Sequence, residues 1–205
     1  MKERPILFSA QMVRAILDGR KTQTRRIAKP IKHPDWGNEY SPGALITEKE
    51  SNYVIERACP YGSKGERLWV RETFSHHPQF ADIAYRADGE EFEDSDGFLW
   101  EPKWKPSIHM PRSASRILLE ITGVRVERLQ DISEEDAKSE GAQAINFGYG
   151  DCYALGFKQL WESINGPGSW DLNPWVWVID FKRINEEQTG GNNNPEHRQE
   201  SARKR

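Results

Sequence analysis

The chain has 205 residues, with 29 Lys and Arg against 32 Asp and Glu and a formal net charge of −3. One domain with its own core is expected, and wholesale non-specific binding to nucleic acid is not. Two cysteines, Cys59 and Cys152, are too few for a disulfide scaffold or a zinc cage, and with no apolar leader after Met1 and no run near the ~20 residues of a membrane span a soluble cytoplasmic protein is expected.

Pro5 to Phe8 reads as a short strand. A helix is predicted from the N-cap Ser9 to Gly19, with Met12, Val13, Ile16 and Leu17 on one face. Ala28 to Asn52 carries Pro30, Pro34, Gly37, Pro42 and Gly43 and reads as irregular. Arg67 to Phe74 and Asp82 to Arg86 read as strands. Asp88 to Glu101 holds seven acids and no base, which suits a solvated hairpin or loop, or more sharply an acidic face that mimics DNA. Ser115 to Leu129 is the longest strand. Ile117, Leu119 and Ile121 share a face, and beyond Gly123 the apolar phase moves to Val124 and Val126, the mark of a bulge. A short helix starts at Ser133, with Asp136 as its capping-box acid, and stops at Gly141. A third helix begins near Asp151 and places Tyr153, Phe157, Leu160, Trp161 and Ile164 at helical spacing before Asn165-Gly166-Pro167-Gly168. Trp175 to Ile184 is the last strand. Residues 186–205 hold one apolar residue, Ala202, and read as a disordered tail, so the ordered domain spans 4–185. Several strands with few, short helices predict a mixed α/β (α+β) protein on a closed or half-closed sheet.

The densest unusual segment is Gly19-Arg20-Lys21-Thr22-Gln23-Thr24-Arg25-Arg26. From Arg14 to Lys32 there are seven basic residues and one acid, Asp18. A solvated basic turn after a helix C-terminus is one reading. The other is an activated nucleophile: a threonine hydroxyl needs a base, and a lysine serves only when burial or cationic neighbours lower its pKa. In a flat strand Lys21 and Thr24 would face opposite sides, so a turn after Gly19 is required. Glu140, in the last turn of the short helix, is either an exposed helix-end acid or a carboxyl that favours its proton and suits acid catalysis. Glu72 falls in phase with Leu68, Val70 and Phe74, an inward charge that needs a partner from Arg26 or another strand. A structural ion pair and a pocket acid are both open to it. His76, His77, Cys59 and His109 match no metal motif, so neither metal nor cofactor is expected. Trp161, Trp175 and Trp177 fit the core, leaving Trp36, Trp69, Trp100 and Trp104 for a pocket or surface.

Gly19-x-Lys21-x-x-Thr24-x-Arg26 after a helix resembles the signature of the ASCH domain family, whose fold is a PUA-like β-barrel. Arg4-Pro5-Ile6-Leu7-Phe8-Ser9, Cys59-Pro60-Tyr61-Gly62, Leu68-Trp69-Val70-Arg71-Glu72-Thr73, Ile132-Ser133-Glu134-Glu135-Asp136-Ala137 and Asn173-Pro174-Trp175-Val176-Trp177 are similar to its phage and prophage branch. The resemblance implies a small PUA-like barrel with a few short helices and loop insertions. Characterised relatives include a small N(4)-acetylcytidine amidohydrolase that uses a lysine, a threonine three residues on and a later glutamate. Carried over, these are Lys21, Thr24 and, by context, Glu140, with Arg26, Trp69, Arg71 and Glu72 as expected substrate-binding residues. The implied reaction is metal-independent hydrolysis of the N(4)-acyl amide of a cytosine nucleoside by a monomer. Ala28 to Asn52 and His76 to Pro111 are additions to the small relatives. The alternative is an RNA-binding or ribonuclease module holding phosphates on Arg14 to Lys32 with Arg112, Arg116, Arg125 and Arg128. A third reading is an interaction protein with a vestigial site.

Overall fold

The computed structural model describes residues 1–79, 81–89, 91–146, 148 and 150–184, so the expected tail at 186–205 lies outside the described residues. In chain order the elements are β1 (Glu3–Leu7), α1 (Ala10–Leu17), β2 (Gln23–Ile27), β3 (Ile31–Lys32), β4 (Glu39–Tyr40), α2 (Pro42–Thr47) and α3 (Asn52–Ala58). Then come β5 (Arg67–Arg71), β6 (Phe74–His76), β7 (Ile83–Tyr85), β8 (Leu118–Arg128), α4 (Glu134–Ser139), β9 (Ile145–Asn146), β10 (Asp151–Cys152), α5 (Tyr153–Asn165) and β11 (Trp175–Ile184). Helix starts follow their caps: the Ser9 hydroxyl accepts from Met12 N, that of Ser51 from Val54 N and that of Ser133 from Asp136 N.

A mixed α/β fold results. Its centre is a five-stranded sheet in the order β1-β5-β8-β11-β2, parallel between β1 and β5 and antiparallel elsewhere. β11 divides the interior because both of its faces are buried. Trp177, Ile179 and Phe181 join α1 to α3 through Val13, Ile16, Leu45, Val54 and Ile55. Val176 and Val178 join α4 and α5 through Ala137, Phe157 and Trp161. The bulge read at Gly123 is present: Asp180 pairs with Gly123 and Phe181 with Ile121, leaving Thr122 unpaired.

The sheet corrects the expectation of a closed barrel. Its edges are β1 and β2, and no ladder joins them among the described residues. A side chain spans the gap instead, with Arg26 Nη2 donating to the Leu7 carbonyl at 2.6 Å. Three local expectations also change. Gln23–Ile27 is a strand, and residues 28–52 contain α2 and lead into α3. The strand expected over 67–74 breaks after Arg71, and Phe74 starts a separate ribbon with β7. In the acidic run, Glu93 bridges to Leu99 and the Asp94 carboxylate accepts from Asp96 N and Phe98 N, a self-bonded hairpin tip. None of the helices among the described residues is long and apolar enough to cross a membrane.

Gly156 gives a test of this packing. Glycine inside a helix ordinarily costs ~0.5–1 kcal/mol relative to alanine. Here an added Cβ would lie 1.8 Å from the Gln143 carbonyl oxygen, a backbone atom that no rotamer change can move. Gly156→Ala is therefore expected to destabilise by about 1–3 kcal/mol or more, measured by urea denaturation, reversing the usual sign.

Candidate functional site

The site begins where α1 ends. Gly19 takes a left-handed φ of 73°, and the Arg20 and Lys21 amides both donate to the Ala15 carbonyl at 2.9 Å. The chain thereby reverses and enters β2. Lys21 forms a β-bridge to Glu140, and Thr22 N donates to Ser139 O at 2.8 Å, so the end of α4 lies against the start of β2. Gly141 follows with φ 76°, where a Cβ would meet the Ala15 and Lys21 side chains.

Lys21 Nζ has all three of its protons engaged. It donates to Gln23 O at 2.7 Å, to Glu140 O at 2.8 Å and to Glu140 Oε2 at 2.7 Å. Each of these two residues is 2% exposed. Burial pulls the Lys21 ammonium below its ordinary range; Glu140 opposes this, while Arg26 and Arg25 add to it. Glu140 is the C-cap of α4, a helix end that disfavours a carboxylate, and two cations meet its charge there. Its Oε1 accepts from Arg25 Nη1 at 3.3 Å.

From Arg25 a wider network spreads. Arg25 Nη2 donates to Glu127 Oε2 at 3.0 Å and to Asp136 Oδ2 at 2.9 Å. Gln23 donates to Asp136 and Asp180 and accepts from Arg25. Arg125 donates to Glu127, Asp136 and Asp180. Three cations, Lys21, Arg25 and Arg125, thus face four carboxylates, Glu127, Asp136, Glu140 and Asp180. Burial pushes the Asp136 carboxyl up, but its bonds to Gln23 and Arg25 win and hold it low. The acid expected as a helix cap is therefore a member of this network.

Thr24 lies on the opposite face of β2 from Gln23 and Arg25, by the alternation of a strand. It is fully buried, and its Oγ1 has no hydrogen-bond partner among the described residues. Lys21 and Arg26 both approach the Phe8 ring, with Nζ 5.6 Å and the guanidinium carbon 5.1 Å from its centroid. A cavity of about 200 Å³ adjoins the group. Glu140, Arg25 and Arg26 are among its lining residues, and Tyr61, Phe157 and Trp161 supply aromatic surface.

Of the expected site residues, the structure brings Lys21 and Glu140 into contact, buries Thr24 in the strand between them and Arg26, and sets Arg26 on the cavity wall. Neither Lys21 nor Thr24 is among the residues that line it, and Trp69, Arg71 and Glu72 do not line it either. The Arg71 guanidinium stacks on Trp69 at 5.3 Å and donates to the Ile108 carbonyl. Glu72 takes a two-pronged bond from Arg116, 3.0 Å on each oxygen, and Arg116 also holds Asp88 at 2.7 Å. Burial raises the Glu72 carboxyl, and Arg116 offsets this only in part. Sequence reasoning missed Gln23, Asp180 and Phe8, and read Arg25 as a cationic neighbour of Lys21, which it is, without its carboxylate partners. The one available signal was β2 itself, since alternation would have separated Gln23 and Arg25 from Thr24 and Arg26.

No protein-family model and no curated protein matches the chain. Solved structures similar to it include an ASCH domain from Lactobacillus crispatus JV V101, 14% identical, covering 89% of this chain and 79% of that one, with a TM-score of 0.39. A DUF984 protein from Enterococcus faecalis V583 is 11% identical, covers 97% of this chain and 87% of that one, and has a TM-score of 0.38.

Removing one partner of a buried ion pair costs about 3–5 kcal/mol, because the other charge stays buried. Glu140→Leu alone is expected to cost that much. The double variant Lys21→Met/Glu140→Leu should cost less than the sum of the singles in urea titrations. The pH dependence has a defined sign. Folded Lys21 binds its proton less tightly than the unfolded chain does, so stability rises as pH climbs from its lowered value towards the ordinary 10.5. Lys21→Met is expected to lack that slope.

Proposed function

We propose that the protein is a PUA-like ASCH domain acting as a metal-independent amidohydrolase on N(4)-acylated cytosine nucleosides. Thr24 is the nucleophile, Lys21 its base and Glu140 the acid partner of Lys21. The observation that carries this reading is the buried pair itself: Nζ lies 2.7 Å from Oε2, Glu140 lines a cavity, and the Thr24 hydroxyl, three residues on from Lys21, has no partner among the described residues.

A lysine with three bonded protons is not yet a base. The pair resolves this internally, because substrate entry excludes water and a dry site favours two neutral groups over two charges. One proton passes from Lys21 Nζ to Glu140 Oε2. The free Nζ lone pair then accepts the Thr24 proton as Oγ1 attacks the acyl carbon and forms the new C–O bond. As the C–N bond breaks, Lys21 returns that proton to the departing exocyclic nitrogen. Water then cleaves the acyl-threonine ester, releasing the carboxylate and restoring the hydroxyl.

The RNA-handling alternative has less support. Arg20, Arg112 and Arg116 pair with Asp18, Glu3, and Glu72 and Asp88 respectively, and Arg25 and Arg125 belong to the buried network. Those five cations have little left for phosphates, which leaves the alternative Arg14, Arg26, Lys29, Lys32 and Arg128, none of which makes a salt bridge among the described residues.

Ultraviolet-monitored hydrolysis of N(4)-acetylcytidine and of a bulkier acyl analogue tests the reading. Thr24→Val preserves shape and removes the hydroxyl; it, Lys21→Met and Glu140→Gln are each expected to lose roughly 10²–10⁴-fold in kcat, the usual worth of such groups. Circular dichroism checks folding. Wild-type turnover that survives Thr24→Val would remove the nucleophile. Failure to cleave any acylated cytosine, together with RNA binding that falls steeply with salt, would replace the enzyme by the RNA module.

A further inference from the structure

Among the arginines and lysines of Arg14 to Lys32, two that line the cavity stand apart. Arg26 and Lys29 both face it, and neither makes a salt bridge among the described residues. Arg25, also in the lining, is held by three carboxylates. The protein gives Arg26 one acceptor, the Leu7 carbonyl, and a ring face, Phe8. Lys29 is exposed at the mouth. Two further donors in the wall are unanswered: Trp161 Nε1 and Arg25 Nε are buried without an acceptor among the described residues. The one carboxylate in the lining, Glu140, is already engaged by Lys21 and Arg25. The cavity therefore presents donors and uncompensated positive charge against aromatic surface.

From this we propose that the cavity binds a phosphorylated ligand, so that the substrate is an N(4)-acylcytidine monophosphate rather than the free nucleoside; the proposal rests on the amidohydrolase reading. A nucleotide matches each part of the lining. Its base is a flat apolar face for Tyr61, Phe157 and Trp161, and its phosphate is a multi-acceptor anion for Arg26 and Lys29. Placement agrees. Arg26 lies two residues beyond Thr24 on the same face of β2, about 7 Å along the strand, and Lys29, just past the end of β2, lines the same cavity. On this proposal the acyl group is directed to Thr24, which lies outside the lining, and the phosphate at the other end of the nucleotide to Arg26 and Lys29. Burial also pulls the Arg26 guanidinium below its ordinary range, a cost that a bound anion relieves.

The test compares kcat/KM for N(4)-acetylcytidine with that for its 5′- and 3′-monophosphates, using wild type, Arg26→Gln and the surface variant Lys29→Gln. Calorimetric binding of cytidine, its two monophosphates and inorganic phosphate runs alongside. One monophosphate is expected to be preferred over the nucleoside by about tenfold to a hundredfold, the worth of charge-assisted hydrogen bonds. Added salt should erode that preference, and Lys29→Gln should lower it roughly tenfold. Equal kcat/KM for nucleoside and both monophosphates would overturn the proposal and leave the amidohydrolase standing. A preference for an acetylated oligoribonucleotide over either monophosphate would overturn it in favour of RNA. If nothing is hydrolysed, monophosphate binding that Arg26→Gln and Lys29→Gln weaken still supports the anion site while the amidohydrolase fails. Without turnover or monophosphate binding, both fall.

Discussion

Charge buried in protein must be matched by opposite charge or hydrogen bonds, and one seam of this fold is built on that requirement. Lys21, two residues before β2, and Arg25, on it, enter the interior at an edge strand whose own neighbours supply only part of what they need. Glu127 comes from β8 and Asp180 from β11, but Asp136 and Glu140 come from α4. The short acidic helix is therefore placed by electrostatics as much as by its apolar contact through Ala137. A six-residue helix is too short to persist on propensity alone; here Asp136 and Glu140 tie it to Arg25 and Lys21. Its Ser133 cap holds the start and the Lys21–Glu140 pair holds the finish. Such networks do not guarantee stability, since desolvation offsets much of the attraction.

The same requirement separates two kinds of polar residue on β2. Gln23 and Arg25 face the carboxylates and are bonded on nearly every donor. Thr24 faces the other way and is left with nothing. A buried hydroxyl without a partner costs free energy, and valine would fill the same space without that cost. Thr24 sits between Gln23 and Arg25 in sequence, and its hydroxyl is one of several buried polar atoms, Ser169 Oγ and Trp161 Nε1 among them, that find no partner among the described residues; the proposed role as a nucleophile is one that would need it free.

How much of this was legible depended on whether the cause was local. Ser9 and Ser133 announce their helices because a cap is a three-residue interaction. The bulge at Gly123 is visible because the phase of Ile117, Leu119 and Ile121 against Val124 and Val126 is written within one strand. β11 is visible as a continuous apolar run. By contrast Gln23-Thr24-Arg25-Arg26-Ile27 reads as solvated, because polar residues seldom lie in a core and their partners are about a hundred positions away. Glu72 shows the same limit. Its inward phase and its need for a cation were readable, yet the cation, Arg116, sits 44 residues on and was grouped with a basic surface. The strand pattern suggested a closed or half-closed sheet and the resemblance a PUA-like barrel, and neither can tell a ladder from the Arg26–Leu7 link.

A run of basic residues in sequence is thus a poor guide to positive potential in space. Lys21 and Arg25 are consumed by the interior and Arg20 by its neighbour Asp18; Arg14 is turned onto the Ala87 carbonyl. What survives is the contrast within one strand. Arg25, inward, is neutralised, while Arg26, next in sequence and on the other face, is met by one carbonyl and an aromatic ring. A face of a strand can be electrically spent while its reverse remains open, and the period of two is what allows one short segment to build a scaffold and a binding wall together.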